Sequence, residues 1–249
     1  MGNNLRTYIF MGILTLVSGL LLSYSYSSLK ERTKENIAFD IKRNIIKSAG
    51  YNIKNMTKDG ILKEYNYIDE IILDLENNKS NVEWDSLITV EDKKNGLSHY
   101  INKSDKIAFN KNSSDPSIDK YLPLFYHTNK KVYILPISGK GLWSTLFGFI
   151  SIADDGNTVK GITFYKHKET PGLGGEVDKL YFQERFIEKK IFNNNNLVSI
   201  EVVKVVKDSK QEHSVDGITG ATITSRGLSN FLMRDLLRYE PFLRTLHVK

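Results

Sequence analysis

Residues 7–29, TYIFMGILTLVSGLLLSYSYSSL, hold 23 consecutive positions without a charged side chain. Wound as a helix they reach about 34 Å, enough for a bilayer core of about 30 Å. Tyr8, Tyr24 and Tyr26 stand near the two ends, where amphipathic rings prefer the interface. A cleaved signal peptide is the alternative. Against it stand the long apolar run, a leading region whose only basic residue is Arg6, and no A-x-A site after the run. Residues 7–29 are therefore predicted to be a retained transmembrane helix behind a short N-terminal segment, residues 1–6. Charge alone does not orient it: Arg6 lies on one side, and Lys30, Arg32 and Lys34, diluted by Glu31 and Glu35, on the other.

The next stretch carries Ile37, Ile41, Ile45 and Ile46 at helical spacing, with Gly50 after them, and predicts an amphipathic helix ending there. Residues 60–130 are ambiguous. EYNYIDEIILDL fits a strand or a helix, while ENNKSNVEWD and NKSDKIAFNKNSSDPS read as surface loops. From about Lys130 the pattern changes. KVYILPI, LFGFISIAD and VKGITFYK have strand composition, with DDGN as a turn between the last two. DKLYFQERFIEKKIF predicts a helix, LVSIEVVKVVK a strand, and RGLSNFLMRDLLRYE a closing helix with Leu228, Leu232, Leu236 and Leu237 on one side. Strands come in runs rather than alternating with helices, so the predicted class is α+β with a mixed or antiparallel sheet and flanking helices. The expected segments are 30–130, a membrane-proximal helix and α/β stretch, and 131–249, a further domain.

Composition narrows the chemistry. The chain has no cysteine, which excludes disulfides, thiolate nucleophiles and cysteine-ligated iron–sulfur or zinc sites. Five histidines are scattered without metal-ligand spacing, so no metal site is expected. The net charge of +6 is spread out; without a basic block it reads as solvated surface, with an anionic membrane as a second beneficiary and no nucleic-acid partner.

Three short stretches stand out. DGITGATITS, residues 216–225, contains four hydroxyls and two glycines. It reads either as a turn and helix cap, with Thr224 or Ser225 as the capping side chain, or as a phosphate site. In the second reading, Gly220 and Ala221 leave the backbone open and Thr222 offers a hydroxyl at a helix start. GKGLW, residues 139–143, reads as a loop with a buried tryptophan or as an aromatic wall beside a planar ring. HKETPGLGGE, residues 167–176, reads as a surface hairpin or as a site loop, with Leu173 exposed or pressed on a ligand. None forms a hydrolytic triad or a carboxylate pair, and no catalytic residue is assigned.

In this order, LPISGKGLWSTLFGFISI, VKGITFYKHKETPGLGGEV and DGITGATITSRG resemble the family of C-type subunits of sodium-translocating NADH:quinone reductases, and the resemblance covers nearly the whole chain. It implies a covalent FMN joined by a phosphoester to the threonine closing the S/T-G-A-T motif. That threonine is Thr222, preceded by Thr219, Gly220 and Ala221. It further implies a ring pocket of Trp143, Thr170 and Leu173, with Glu169, Gly172 and Gly174 lining the loop. A separate flavin transferase makes the bond in such proteins. The implied role is electron relay in the bacterial inner membrane, with the short segment 1–6 on the cytoplasmic side, the soluble domain on the periplasmic side and subunits of the B, D, E and F types as partners. No NADH or quinone site is expected here, in keeping with the lack of a G-x-G-x-x-G fingerprint. Two other readings remain at this point. One is the G-type subunit of an Rnf-type electron transport complex, which shares the anchor and both flavin motifs. The other is a membrane-anchored binding or sensing domain without a cofactor.

Overall fold

A computed structural model describes residues 2–74, 76, 78–103, 120–208 and 211–247. The chain forms two compact units, Met1–Ile41 and Lys42–Lys249. Helix α1, Gly2–Ser48, runs unbroken through the uncharged segment, and it is long and apolar enough to cross a membrane. The sequence suggests an anchor followed by an amphipathic helix; the structure has one 47-residue helix, because nothing between residues 29 and 48 breaks it. The helix stops where the periodicity ends. Gly50 takes a φ of +87°, and its N–H closes on the Lys47 carbonyl at 3.1 Å, the left-handed stop that glycine adopts without strain.

Within the second unit, helix α2 (Lys58–Tyr65) is capped by Thr57, whose hydroxyl accepts from the Gly60 N–H. Strands β1 (Ile68–Asp74), β2 (Leu87–Glu91), β3 (Ser98–Asn102), β4 (Tyr121–His127), β5 (Val132–Lys140), β6 (Thr145–Ala153) and β7 (Val159–Lys166) then build one sheet. Its order is β2-β3-β4-β5-β6-β7, with β1 also pairing β4, and every pairing is antiparallel. EYNYIDEIILDL thus resolves into the end of α2 and strand β1. Residue 130 lies in the turn between β4 and β5, and the strands on both sides of it belong to the same sheet. Most of the predicted loop NKSDKIAFNKNSSDPS, residues 104–117, lies outside the described residues.

DKLYFQERFIEKKIF departs from its predicted helix. Only Leu180–Gln183, helix α3, is helical, followed by a 3-10 turn at Glu184–Phe186. Phe182, Phe186, Ile191 and Phe192 are all buried, but Glu188 is left-handed (φ 64°), and the Lys190 and Ile191 N–H groups bond to the carbonyls of Glu212 and Asn157. Aromatic and β-branched residues favour the helix weakly, and these non-local bonds replace it. LVSIEVVKVVK is likewise mostly irregular: β8 (Phe192–Asn193) and β9 (Asn196–Leu197) form a small hairpin, and β10 (Glu201–Val203) pairs in parallel with β11 (Ser214–Asp216).

Helix α4, Thr222–His247, buries Leu228, Phe231, Leu232, Asp235, Leu236, Tyr239 and Leu243, a stripe at three- and four-residue steps. Leu237, predicted to share that face, is 49% exposed: one residue past Leu236 turns it about 100° away. The buried stripe joins Leu135, Ile137, Leu146, Ile150, Ile162 and Phe164 of β5, β6 and β7 in the main core. Fit is close at Gly139, where an added Cβ would lie 2.2 Å from Phe231 Cβ. Asp235 ties helix to sheet by accepting the Ser138 N–H at 2.8 Å. Burial, offset in part by Arg234, raises its carboxyl above the ordinary range.

Candidate functional site

The three stretches singled out from the sequence meet around one buried carboxylate. Glu169 follows β7 and is 5% exposed. Its Oε1 accepts the N–H groups of Trp143 and Ser144, each at 2.9 Å. Its Oε2 accepts the Leu142 N–H at 3.1 Å and the Thr224 hydroxyl at 2.8 Å. Burial by itself would raise the Glu169 pKa, but the Thr224 hydroxyl and the three backbone donors outweigh it and hold the carboxyl below its ordinary value. The charge is therefore fixed at neutral pH. One side chain binds the 139–143 loop, its own 167–176 loop and the first turn of α4.

Two glycines make room for it. A Cβ on Gly141 would fall 2.7 Å from Glu169 Oε1, and one on Gly174 would fall 2.6 Å from Glu169 Oε2 and 2.7 Å from Thr224 Oγ1. Glycines from two separate motifs are thus required by the same carboxylate. The sequence reading placed Glu169 among the loop-lining residues; the structure makes it the brace beneath the loops.

The hydroxyls of residues 216–225 separate by accessibility. Thr224 is buried against Glu169. Ser225 is buried too, its N–H on the Ala221 carbonyl. Neither caps the helix, since α4 already begins at Thr222. Thr219 and Thr222 are exposed. Thr222 is the first residue of α4, where N–H groups have no partner inside the helix and the helix dipole favours an anion. Gly220 precedes it with a φ of +79°, and its face is so close to Leu173 that a Cβ would lie 2.8 Å from Leu173 Cδ2. Ala221 is buried.

Beside this helix start the surface is apolar and open. Trp143 is 71% exposed, Ile223 58%, Leu142 47% and Leu173 43%. Trp143 is therefore not the buried loop tryptophan of the alternative reading. Thr170 is exposed as well, and its carbonyl shapes the loop by accepting the N–H of Leu173 at 3.1 Å and of Gly175 at 2.9 Å. Gly172 is left-handed (φ 76°), and its N–H bonds to Glu176 Oε1. Two clefts flank Thr219. One, of about 600 Å³, runs along Val203, Lys204, Ile218, Thr222 and Arg226. The other, of about 340 Å³, lies among Gly172, Glu176, Tyr181, Arg185 and Ile218.

Arg185 and Lys204 carry no sequence signal that marks them, because each reaches the site only through the fold, whereas Arg226 stands one turn after Thr222 on α4. The Arg185 guanidinium donates to the carbonyls of Asp216 and Gly217 at 2.7 and 3.1 Å. Its central carbon lies 5.5 Å from the Tyr181 ring centre. It pins the chain that enters the Thr219–Thr222 turn. Among the described residues no group of three His, Cys, Asp or Glu side chains is placed to hold a metal ion.

Residues 141–236 match the FMN-binding domain family. Over 221 residues the chain is 33% identical to the C subunit of the Na(+)-translocating NADH-quinone reductase of Vibrio alginolyticus, covering 87% of this chain and 84% of that protein. It is 32% identical over 247 residues to the corresponding protein of Vibrio anguillarum, covering 96% and 93%. The crystal structure of the Parabacteroides distasonis C subunit superimposes with a TM-score of 0.67 at 29% identity, covering 86% of this chain and 96% of that one.

Proposed function

The chain belongs to the family of C subunits of Na(+)-translocating NADH-quinone reductases, and on that premise we propose that it relays electrons through an FMN joined by its phosphate to the Thr222 hydroxyl. One observation carries the choice of residue. Of the four hydroxyls in the motif, Thr224 is sequestered by Glu169 and Ser225 is buried; Thr219 and Thr222 are exposed, and of these two Thr222 alone stands at the first position of α4. A phosphate on its oxygen would face the free N–H groups of the first helical turn, which is a natural anion position. Gly220 lets the chain turn sharply enough to present that oxygen.

The residues fit the rest of the group. Leu142, Trp143, Leu173 and Ile223 give apolar surface for a flat ring, with Thr170, Gly172 and Gly174 shaping the loop that holds Leu173. Glu169 keeps the 139–143 loop and α4 in register, so both sides of the ring site move as one body. Bound FMN supplies the electron-transfer chemistry, and the protein's part is to fix its position and its electrostatic surroundings. A covalent tether suits a relay, which must keep its cofactor without enclosing it.

The FMN-binding family match supports this reading over a cofactor-free sensing module. Similarity to the reductase C subunits along most of their length supports it over the G-type subunit of an Rnf-type complex. In this proposal α1 anchors the chain in the inner membrane with the folded unit on the outer side, a flavin transferase installs the FMN, and subunits of the B, D, E and F types exchange electrons with it or hold the NADH and quinone sites. The test is the full chain produced together with a flavin transferase. The wild-type band should fluoresce in a denaturing gel and gain the mass of one FMN minus water. Thr222→Ala should be dark and Thr224→Ser should keep its flavin. A fluorescent Thr222→Ala protein of unchanged mass gain removes Thr222 as the acceptor.

A further inference from the structure

A third concavity, of about 330 Å³, lies between residues 43–54 and residues 160–187 and shares no lining residue with the two clefts that flank Thr219. Arg43, Lys47, Lys54 and Lys160 all line it. Lys160 is paired with Glu188 at 2.7 Å. The side chains of Arg43, Lys47 and Lys54 form no ion pair among the described residues, although Lys47 is half-buried. Asp178 acts on Lys47 from a distance but is shared with His167 and Lys179. Glu184, also on the lining, is exposed. Cations gathered on one concave surface repel one another and leave a net field that attracts an anion.

An independent feature of the same groove asks for something more than charge. Gln183 is 3% exposed and lines it. The Gln183 Nε2 donates to the Val177 carbonyl at 3.1 Å, which fixes which end of the amide is which. Its Oε1 is buried and accepts no hydrogen bond. A buried acceptor without a donor is unfavourable, and a native protein rarely keeps one. Ile162 and Leu180 supply apolar surface beside it. The volume lies within the range of small-ligand sites, about 300–1,000 Å³.

We propose that this groove binds a hydroxyl-bearing phosphate ester of the glycerophosphate type. Arg43, Lys47 and Lys54 take the phosphate, for which guanidinium and ammonium groups are the usual partners. A ligand hydroxyl donates to Gln183 Oε1. The same chemistry is offered by a free polyol phosphate and by the headgroup of phosphatidylglycerol. The site does not depend on the flavin and can be tested with the Thr222→Ala chain as well as the wild type.

The experiment uses the full chain in nanodiscs of neutral phosphatidylcholine, titrated calorimetrically with glycerol 3-phosphate, inorganic phosphate and glycerol. In parallel, chain extracted from phosphatidylglycerol-containing membranes is examined by native mass spectrometry for retained lipid. Saturable binding of glycerol 3-phosphate, or retention of phosphatidylglycerol, is expected, and the responding arm identifies the source. For the soluble ester, affinity about tenfold above that of inorganic phosphate is expected, from the added hydrogen bond. Lys47→Gln and Arg43→Gln should each weaken binding by about tenfold. Because Arg43 is exposed, its variant folds even if Lys47→Gln does not, as circular dichroism will show. Absence of saturable binding in both arms overturns the proposal. So does binding unchanged in Arg43→Gln, or inorganic phosphate binding as tightly as the ester.

Discussion

Glu169→Gln is the substitution that most directly probes how the loops of the proposed flavin site are held. The carboxylate accepts three backbone N–H groups and the Thr224 hydroxyl at 2.8–3.1 Å, and the Ser144 hydroxyl weakly at 3.4 Å. Glutamine has a single acceptor oxygen. The better orientation keeps that oxygen toward Trp143 and Ser144, where two N–H groups converge, and turns the NH₂ toward Leu142 and Thr224. The Thr224 hydroxyl can rotate and accept; the Leu142 N–H cannot, and is left facing a donor. Three bonds then fall from charge-assisted to neutral strength, a difference of about 1 kcal/mol each, and one donor is stranded at about 1–3 kcal/mol. Relief of a buried charge offsets part of this. The expected net loss is about 2–4 kcal/mol, or a fall in Tm of about 4–16 °C for a folded unit of this size. The pH dependence gives a second check. The folded-state pKa of Glu169 is depressed, so its contribution is present above the unfolded-state value of about 4.3 and is lost as pH falls through the folded-state value. The variant should lack that share of the acid limb. Urea unfolding at neutral and acid pH measures both, and a double-mutant cycle with Thr224→Val isolates the Glu169–Thr224 bond, with an expected coupling of about 1–3 kcal/mol. A variant within about 0.5 kcal/mol of wild type, with the acid limb intact, refutes the role given to this carboxylate.

Other substitutions test the remaining parts of the site and core. Gly174→Ala places a methyl 2.6 Å from Glu169 Oε2 and 2.7 Å from Thr224 Oγ1; a loss of about 1–3 kcal/mol is expected in denaturant unfolding. Trp143→Ala, at an exposed position, should leave stability within about 0.5 kcal/mol while shifting the midpoint of a flavin redox titration. Leu236→Ala should cost about 2–5 kcal/mol, whereas Leu237→Ala, one residue along and half exposed, should stay within about 0.5 kcal/mol.

Several features of this protein are set by the sequence itself, because they depend on neighbours in the chain. A run of 23 uncharged residues dictates a membrane-length helix whatever else folds. The DDGN turn forms where Asp155 accepts the N–H groups of Asn157 and Thr158, a contact that spans only a few positions. The antiparallel strands β5, β6 and β7 follow from their β-branched and aromatic composition and the short turns between them. The motif around Thr222 is contiguous, so the proposal made for that residue can start from the sequence for the same reason.

What only the tertiary structure decided are the contacts between distant residues. DKLYFQERFIEKKIF has helical periodicity, yet most of it abandons the helix for bonds to residues near 157 and 212. Arg185 reaches Asp216 and Gly217 across more than thirty positions. Glu169 meets Thr224 from 55 residues away, and nothing local in either stretch foretells it. Local pattern records which conformations a segment prefers. Which buried polar group finds which partner is settled by packing, because a carboxylate removed from water must take its donors from whatever chain the fold brings alongside.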